Sequence, residues 1–319
     1  MTVLALGLDW WLGEPRRWHP LVGFGAYAQA LERWLHGPGE ARGHRAARDR
    51  GRGALATCLA VLPPVALCAA LCRVPVIGTA LTVLVLYAAV GHRSLHDHAY
   101  AVQEALDCGE LPEARRRVGL MVSRDTADMN ATRVAGAAAE SVLENGNDAL
   151  CGALFWFFVA GGPGALLYRL VNTLDAMWGY RTPRYLHFGW AAARGDDLLN
   201  FIPARLTALT YALAGDLRAA LRCWRRQGVL WDSPNAGPVM ASGAGALQVQ
   251  LGGGAFYHGQ WRVRPELGEG PEPQASDIAR ALRLVRRALL IWVGVAVLAT
   301  LLDWRLEAAW RALPIEAGG

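Results

Sequence analysis

At 319 residues, with 53% hydrophobic and only 18% charged residues, the chain is more apolar than an average soluble domain. Its net charge of +5 rests on arginine, since all 32 basic residues are arginine; with no lysine, a Schiff-base amine and a Walker A phosphate loop are excluded. The arginines flank apolar runs and form no single patch interleaved with aromatics, which argues against nucleic acid as a partner; six scattered cysteines without a CxxC pair argue against a structural zinc or disulfide framework.

The first apolar run, Thr2 to Leu12, contains Asp9 and has neither a basic leader nor a small-residue cleavage site, so it reads as an interfacial or buried helix and not as a signal peptide. Arg42, Arg45, Arg48, Arg50 and Arg52 then crowd the approach to residues 53–72, which carry no charge; after Arg73, residues 74–91 carry none either. About 20 apolar helical residues match a hydrocarbon core of roughly 30 Å, so the two runs read as spans joined in a hairpin at Pro75. Pro63 and Pro64 kink the first span, which membrane helices tolerate.

Residues 92–148 are polar and follow helical spacing, with Gly109 and Pro112 separating the first two helices. The next apolar stretch, 149–170, is broken by Gly161-Gly162-Pro163-Gly164. Either it crosses the membrane or it re-enters as a helical hairpin; re-entry is favoured because it keeps every polar motif on one face. Residues 228–261, rich in Gly, Ser, Ala and Pro, are expected to be loop with short strands. Ser276 is expected to cap a last helix starting at Asp277, with a terminal span at 286–302 preceded by Arg280, Arg283, Arg286 and Arg287. The positive-inside rule puts both arginine clusters in the cytoplasm. The expected fold is all-α: one membrane-embedded catalytic domain over 1–319, polytopic, with long polar cytoplasmic helical segments and the re-entrant hairpin.

The chemistry-bearing residues lie between the apolar runs. Glu140, Glu144 and Asp148 recur every four residues, which places three carboxylates on one helical face. Either this is a solvated face with Arg133 nearby, or the acids hold a hard cation such as Mg²⁺, to which Asn145 adds an amide oxygen. Asn172 and Asp175 share a helical turn, and Asp196-Asp197 precede Asn200 and Arg205. Adjacent acids at a membrane surface are costly unless paired or metal-bound; Arg205 is the structural alternative. Asp232 to Gly237 is a turn by composition. His19, beside Arg16 and Arg17, suits a phosphate, and His92, His96 and His98 have loose metal-ligand spacing.

Read in order, these motifs resemble the CobD/CbiB family of cobalamin biosynthesis, the adenosylcobinamide-phosphate synthases. The resemblance starts at Asp9 and Gly13-Glu14-Pro15 to His19-Pro20, and continues through Arg124-Asp125-Thr126, Glu140-Ser141-Val142 and Glu144-Asn145 with Asp148. It extends over Asn172-Thr173-Leu174-Asp175, Gly179-Tyr180-Arg181, Phe188-Gly189-Trp190-Ala191 and Asp196 to Asn200, then Pro203-Ala204-Arg205, Ser233 to Gly237 and the 277–287 helix. It implies a multi-pass inner-membrane enzyme, active on the cytoplasmic face, that joins adenosylcobyric acid to (R)-1-amino-2-propanol or its O-phosphate. The amide bond would form with ATP and Mg²⁺, through an acyl phosphate. On this reading Glu144, Asp196 and Asp197 are catalytic, while Glu140, Glu144, Asp148 and Asp175 hold the metal. Arg124, Asp125, Arg181 and Arg205 bind the nucleotide; His19, Asn172, Asn200 and Asn235 bind substrate. Membrane lipid surrounds it, and a homo-oligomer or a complex with other corrinoid enzymes stays open. A permease and a noncatalytic scaffold for the pathway are the competing classes; the absence of a visible inverted repeat weighs against the former.

Overall fold

The computed structural model describes residues 1–14, 20–37, 46–257 and 259–312, with side chains as far as Arg305. The fold is all-α. Among the described residues, strands are confined to two short antiparallel pairs, β1 (Leu251–Gly252) with β4 (Glu266–Leu267) and β2 (Ala255–Tyr257) with β3 (Gln260–Arg262). Four helical stretches are long and apolar enough to cross a membrane: Ala46–Leu71, Ile77–Asp107, Ala131–Trp178 and Ala275–Arg305. The molecule therefore has the architecture of a polytopic membrane protein.

Helix α1 (Thr2–Leu12) turns Val3, Leu4, Trp10 and Trp11 outward and buries Asp9, whose Oδ2 accepts the Arg93 backbone N–H at 3.0 Å. Asp9 Oδ1 is buried without a partner, and the apolar outer face fits the interfacial reading. After α2 (Pro20–Leu35), helices α3 (Ala46–Leu71) and α4 (Ile77–Ala89) make the expected hairpin, with Pro63 and Pro64 inside α3. The polar segment that follows is helical: α5 (His92–Asp107), α6 (Leu111–Val118) and α7 (Ala131–Gly146).

Helix α7 passes through a π-helical turn, Asn147–Cys151, into α8 (Gly152–Trp178). Helix α8 is not one rod. At Ala160 (φ −138°) and Gly161 (φ +63°) the backbone leaves helical geometry, and Gly161 takes the left-handed region that only glycine enters freely. Pro163 then sits in the first turn of the return arm, where its missing N–H costs nothing. The arms fold back on each other: a Cβ built on Gly152 would lie 2.2 Å from the Tyr168 hydroxyl oxygen, and one on Gly164 would lie 2.2 Å from the Trp156 carbonyl oxygen. In a straight helix, positions 152 and 168 would stand roughly 24 Å apart. The chain thus reverses at 160–161, as the glycine break predicts.

Both hairpins turn at the same end of the molecule. A Cβ on Gly162 would lie 3.3 Å from Thr82 Cα and 3.6 Å from Cys72 Sγ, so the α8 reversal sits beside the α3–α4 turn. At the opposite end, the Gly91 N–H donates to the Ala149 carbonyl (3.2 Å) and Arg50 lies over the Trp190 ring (5.7 Å). That end, where the arginine cluster enters α3, carries α9 (Tyr185–Phe188) and the start of α10 (Trp190–Ala214). The outer face of α10 exposes Leu198, Ile202, Leu206, Leu209 and Leu213, while Asn200, Thr207 and Tyr211 are buried on the other.

Two local expectations change. Residues 236–247, expected to be loop, form the buried helix α12 (Ala236–Leu247) after α11 (Leu217–Gln227). Its small residues lower helix propensity but let neighbouring helices approach closely, and packing wins. Helix α13 (Ala275–Ala312) starts before Ser276, and Asp277 rather than Ser276 makes the capping contact, accepting the Gln274 N–H at 2.9 Å. Trp292 of α13 stacks on Phe158 near the α8 reversal (centroids 6.3 Å), so this helix runs the same depth as both hairpins.

Gly152→Val places a branched side chain where the Tyr168 ring stands, and should cost about 1–3 kcal/mol from overpacking. Gly23→Val, whose new side chain meets open space, should leave the unfolding temperature close to wild type. Thermal unfolding in detergent distinguishes the two; equal midpoints would mean that the arms do not pack as described.

Candidate active site

At the arginine-flanked end, α7, α8, α10 and the segment before α12 enclose a cavity of about 840 Å³. Glu144 reaches it from the last turn of α7, Asp148 from the π turn and Asp175 from the return arm of α8. Asp196 and Asp197 enter from α10 and Asp232 from the loop before α12. Four arginines also line it: Arg50, Arg181, Arg194 and Arg262. Motifs spread over a hundred residues thus converge because the α8 reversal brings Asp175 back beside Asp148.

The acids are held differently. Asp196 accepts Asn172 Nδ2 and Asn200 Nδ2, each at 3.1 Å, and pairs with no cation. Burial raises its carboxyl above the usual range; the two amide donors pull it back and the Asp197 charge raises it again. Asp197 is neutralised by Arg194 at 2.8 Å. Asp148 receives only Asn147 Nδ2 at 2.9 Å. Among the described residues, the carboxylates of Glu144 and Asp175 have neither a hydrogen-bond donor nor a cation within ion-pair distance. Gly179 makes room for Asp175, since a Cβ there would lie 2.0 Å from Asp175 Oδ1.

Beside the acids lies a buried polar network that fixes the π turn. Asn147 Nδ2 donates to Asn200 Oδ1 (2.8 Å), Thr207 Oγ1 donates to Asn147 Oδ1 (2.9 Å), and the Tyr168 hydroxyl donates to Asn200 Oδ1 (2.9 Å). Asn147 and Asn200 are 2% and 1% exposed, so each needs these partners. A π turn gives up one helical register, and here the side chains of α8 and α10 hold it in place. Asn200 and Asn172, expected to bind substrate, each donate to Asp196.

Glu140 stands apart from the other carboxylates of its face. It is 3% exposed, pairs with both Arg124 and Arg264 at 2.5 Å, and accepts the Gly252 N–H at 2.8 Å. Arg264 escaped the sequence reading: it lies 124 residues from Glu140 in a segment without a motif, and only the expectation that a buried acid needs a cation hinted at it. This cluster forms a partition. On one side a cavity of about 240 Å³ shares Glu144 with the acid cavity; on the other a cavity of about 310 Å³ lies under Gly252–Gly254 and Trp261. Asp125 belongs to the latter, where Oδ2 accepts the Gly259 N–H at 2.7 Å and so fastens the β2–β3 hairpin.

Arg205 pairs with neither Asp196 nor Asp197. It donates to Asn235 Oδ1 (2.6 Å) and the Pro234 carbonyl (3.0 Å), while Asn235 Nδ2 donates to the Asp197 carbonyl (2.8 Å), latching α12 to α10 at the cavity wall. Arg181 lines the cavity and is exposed. His19 lies outside the described residues. Among those described, no group of three His, Cys, Asp or Glu side chains is arranged to hold a metal ion by itself, and that includes His92, His96 and His98. Mg²⁺ typically takes one or two carboxylates and keeps waters and substrate phosphates as its other ligands, so one or two of Glu144, Asp148 and Asp175 would be enough to hold it without a protein cage.

Fold and site together define a polytopic helical membrane protein with an acidic cavity at its arginine-flanked end. A family model described as CobD/Cbib protein matches residues 2–285. A cobalamin biosynthesis protein CobD from Chromobacterium violaceum is 56% identical over 96% of this chain and 97% of its own. That of Stutzerimonas stutzeri is 58% identical over 92% and 93%, and that of Mycobacterium tuberculosis 40% over 93% of each. No solved structure matches. The chain belongs to the CobD/CbiB family and stands among proteins of cobalamin biosynthesis.

Breaking the Glu140 cluster tests the partition. Arg264→Met leaves a buried carboxylate short of one cation and should cost about 3 kcal/mol, whereas Arg264→Met with Glu140→Gln should lose distinctly less. Denaturant unfolding of Arg264→Met, Glu140→Gln and the double variant measures the coupling; additive losses would show that the pair contributes nothing.

Proposed function

We propose that this chain is an acid–amine ligase of the cell inner membrane, working at its cytoplasmic face. It joins adenosylcobyric acid to (R)-1-amino-2-propanol or its O-phosphate through an amide bond. The observation that carries the reading is the set of half-buried carboxylates, Glu144, Asp148 and Asp175, gathered in one cavity without a cationic partner, with Arg50, Arg181, Arg194 and Arg262 also in its lining. Leaving such charges uncompensated is costly, and a magnesium–nucleotide would neutralise them. Arginine clusters at the same end support the cytoplasmic orientation, where ATP is available.

A carboxylate is a poor acceptor for an amine, so the reading includes transfer of a phosphoryl group from ATP to the corrinoid carboxylate, releasing ADP. The amine then attacks the acyl carbon, phosphate leaves and the ammonium proton is given up. One or two of Glu144, Asp148 and Asp175 would hold a magnesium ion, which would supply charge neutralisation for the polyphosphate. Arg181 and Arg262 stand in for the lysine that the chain lacks, their guanidiniums offering paired donors to phosphate oxygens. Asp196 is the general base this geometry favours. Two amides fix its orientation, and its raised pKa brings it nearer the working pH than an ordinary aspartate.

Purified protein supplied with adenosylcobyric acid, the amine or its phosphate and Mg²⁺–ATP should form the amide. Asp196→Asn and Glu144→Gln should stay folded and lose roughly 100-fold or more in rate. Full activity in both variants would overturn the site. No ATP turnover by the wild type would favour a noncatalytic scaffold.

Activity should also fall on the acid side as pH drops through the raised pKa of Asp196, above the usual aspartate range. Asn172→Ala removes a donor that favours the ionised form, so the acid limb should move to higher pH. A limb that stays in place would remove Asp196 from proton transfer.

A further inference from the structure

On the far side of the α8 hairpin from the acids, an apolar groove of about 340 Å³ runs between α2, α3, α4 and the return arm of α8. Leu81, Leu84, Val85 and Ala88 form its α4 wall, Phe24 and Pro64 face them, and Arg169 is the one charged residue in its lining. The same arginine also lines a polar cavity of about 220 Å³, together with Glu14, Ser94, His98 and Asn145. Arg169 therefore stands on the boundary between an apolar slot and a polar chamber. Its Nε is buried without a hydrogen-bond partner, and among the described residues its guanidinium forms no ion pair.

An unpaired arginine beside apolar helices is expensive unless something anionic meets it. The depth of the site says what that is. Gly91 and Ala149, whose backbones bond to each other, belong to the polar chamber and mark the end at which both hairpins enter. From there the groove follows α4 from Ala88 back to Leu81, roughly 10 Å towards the opposite end. A cation at the headgroup level, with an apolar slot leading inward from it, has the polarity of an amphiphile. We infer that a membrane phospholipid binds here, its phosphate on Arg169 and one acyl chain along α4. Neither a free phosphate nor an uncharged lipid satisfies both halves of the site. The lipid would buttress the return arm that carries Asn172 and Asp175, linking the membrane to the cavity through three residues of helix.

The test uses full-length protein, delipidated in detergent and titrated with dioctanoyl phosphatidylglycerol, with binding read as a rise in unfolding temperature. Dioctanoylglycerol, which lacks the phosphate, and glycerol phosphate, which lacks the chains, should each give no rise at the same concentration. Arg169→Gln and the groove-filling Val85→Trp should each weaken phospholipid binding roughly tenfold or more, the loss expected from one charge-assisted contact. Should Arg169→Gln fail to fold, Val85→Trp and the two lipid fragments still decide. Equal response to dioctanoylglycerol, a response to glycerol phosphate alone, or wild-type binding by Val85→Trp would overturn the proposal.

Discussion

The reversal of the chain at Ala160–Gly161 is the constraint on which the rest of the structure depends. A continuous helix through to Trp178 would carry Asn172 and Asp175 about 36–40 Å from Asp148 and leave the later motifs at the other end of the molecule. The left-handed glycine and the tight contact between Gly152 and Tyr168 instead return the chain to its starting level. The Tyr168 hydroxyl then reaches Asn200, Asn172 reaches Asp196, and Trp156 Nε1 donates to the Leu199 carbonyl at 2.9 Å, so α10 docks on both arms at once. One glycine conformation, supported by packing on both sides, assembles the cavity.

The distribution of charge separates scaffold from site. Glu140 has two guanidiniums and a backbone N–H, a buried acid whose desolvation is compensated within the fold. One turn later Glu144 has no such compensation, and neither has Asp175 across the cavity. Two acids on the same helical face are therefore in opposite states, one paired with two guanidiniums and one without an ion-pair partner among the described residues. Cost left uncompensated beside a large cavity is where binding energy from a charged ligand can be used.

How much of this could be read from the sequence depended on whether the signal was local. The α3–α4 hairpin and the α8 reversal follow from uninterrupted apolar runs and from Gly161-Gly162-Pro163-Gly164, all within short windows. The acids of the cavity were visible as motifs, but their partners were not. Arg264 meets Glu140 across 124 residues, and Asn172 and Asn200 both donate to Asp196. Helix α12 departs from the local signal for a related reason: glycine speaks against a helix locally, yet small residues are what an enclosed helix needs when its neighbours come within backbone contact.

The most direct test of this account is the sidedness of the chain around the α8 hairpin. In a background without native cysteines, single cysteines replace Ala127 before the hairpin, Leu186 after it and Val76 at the α3–α4 turn, and a membrane-impermeant thiol reagent is applied to each face of sealed vesicles. Positions 127 and 186 should react from the same face and position 76 from the other. Labelling of 127 and 186 from opposite faces would mean that α8 crosses the membrane, and the shared cavity described here could not exist.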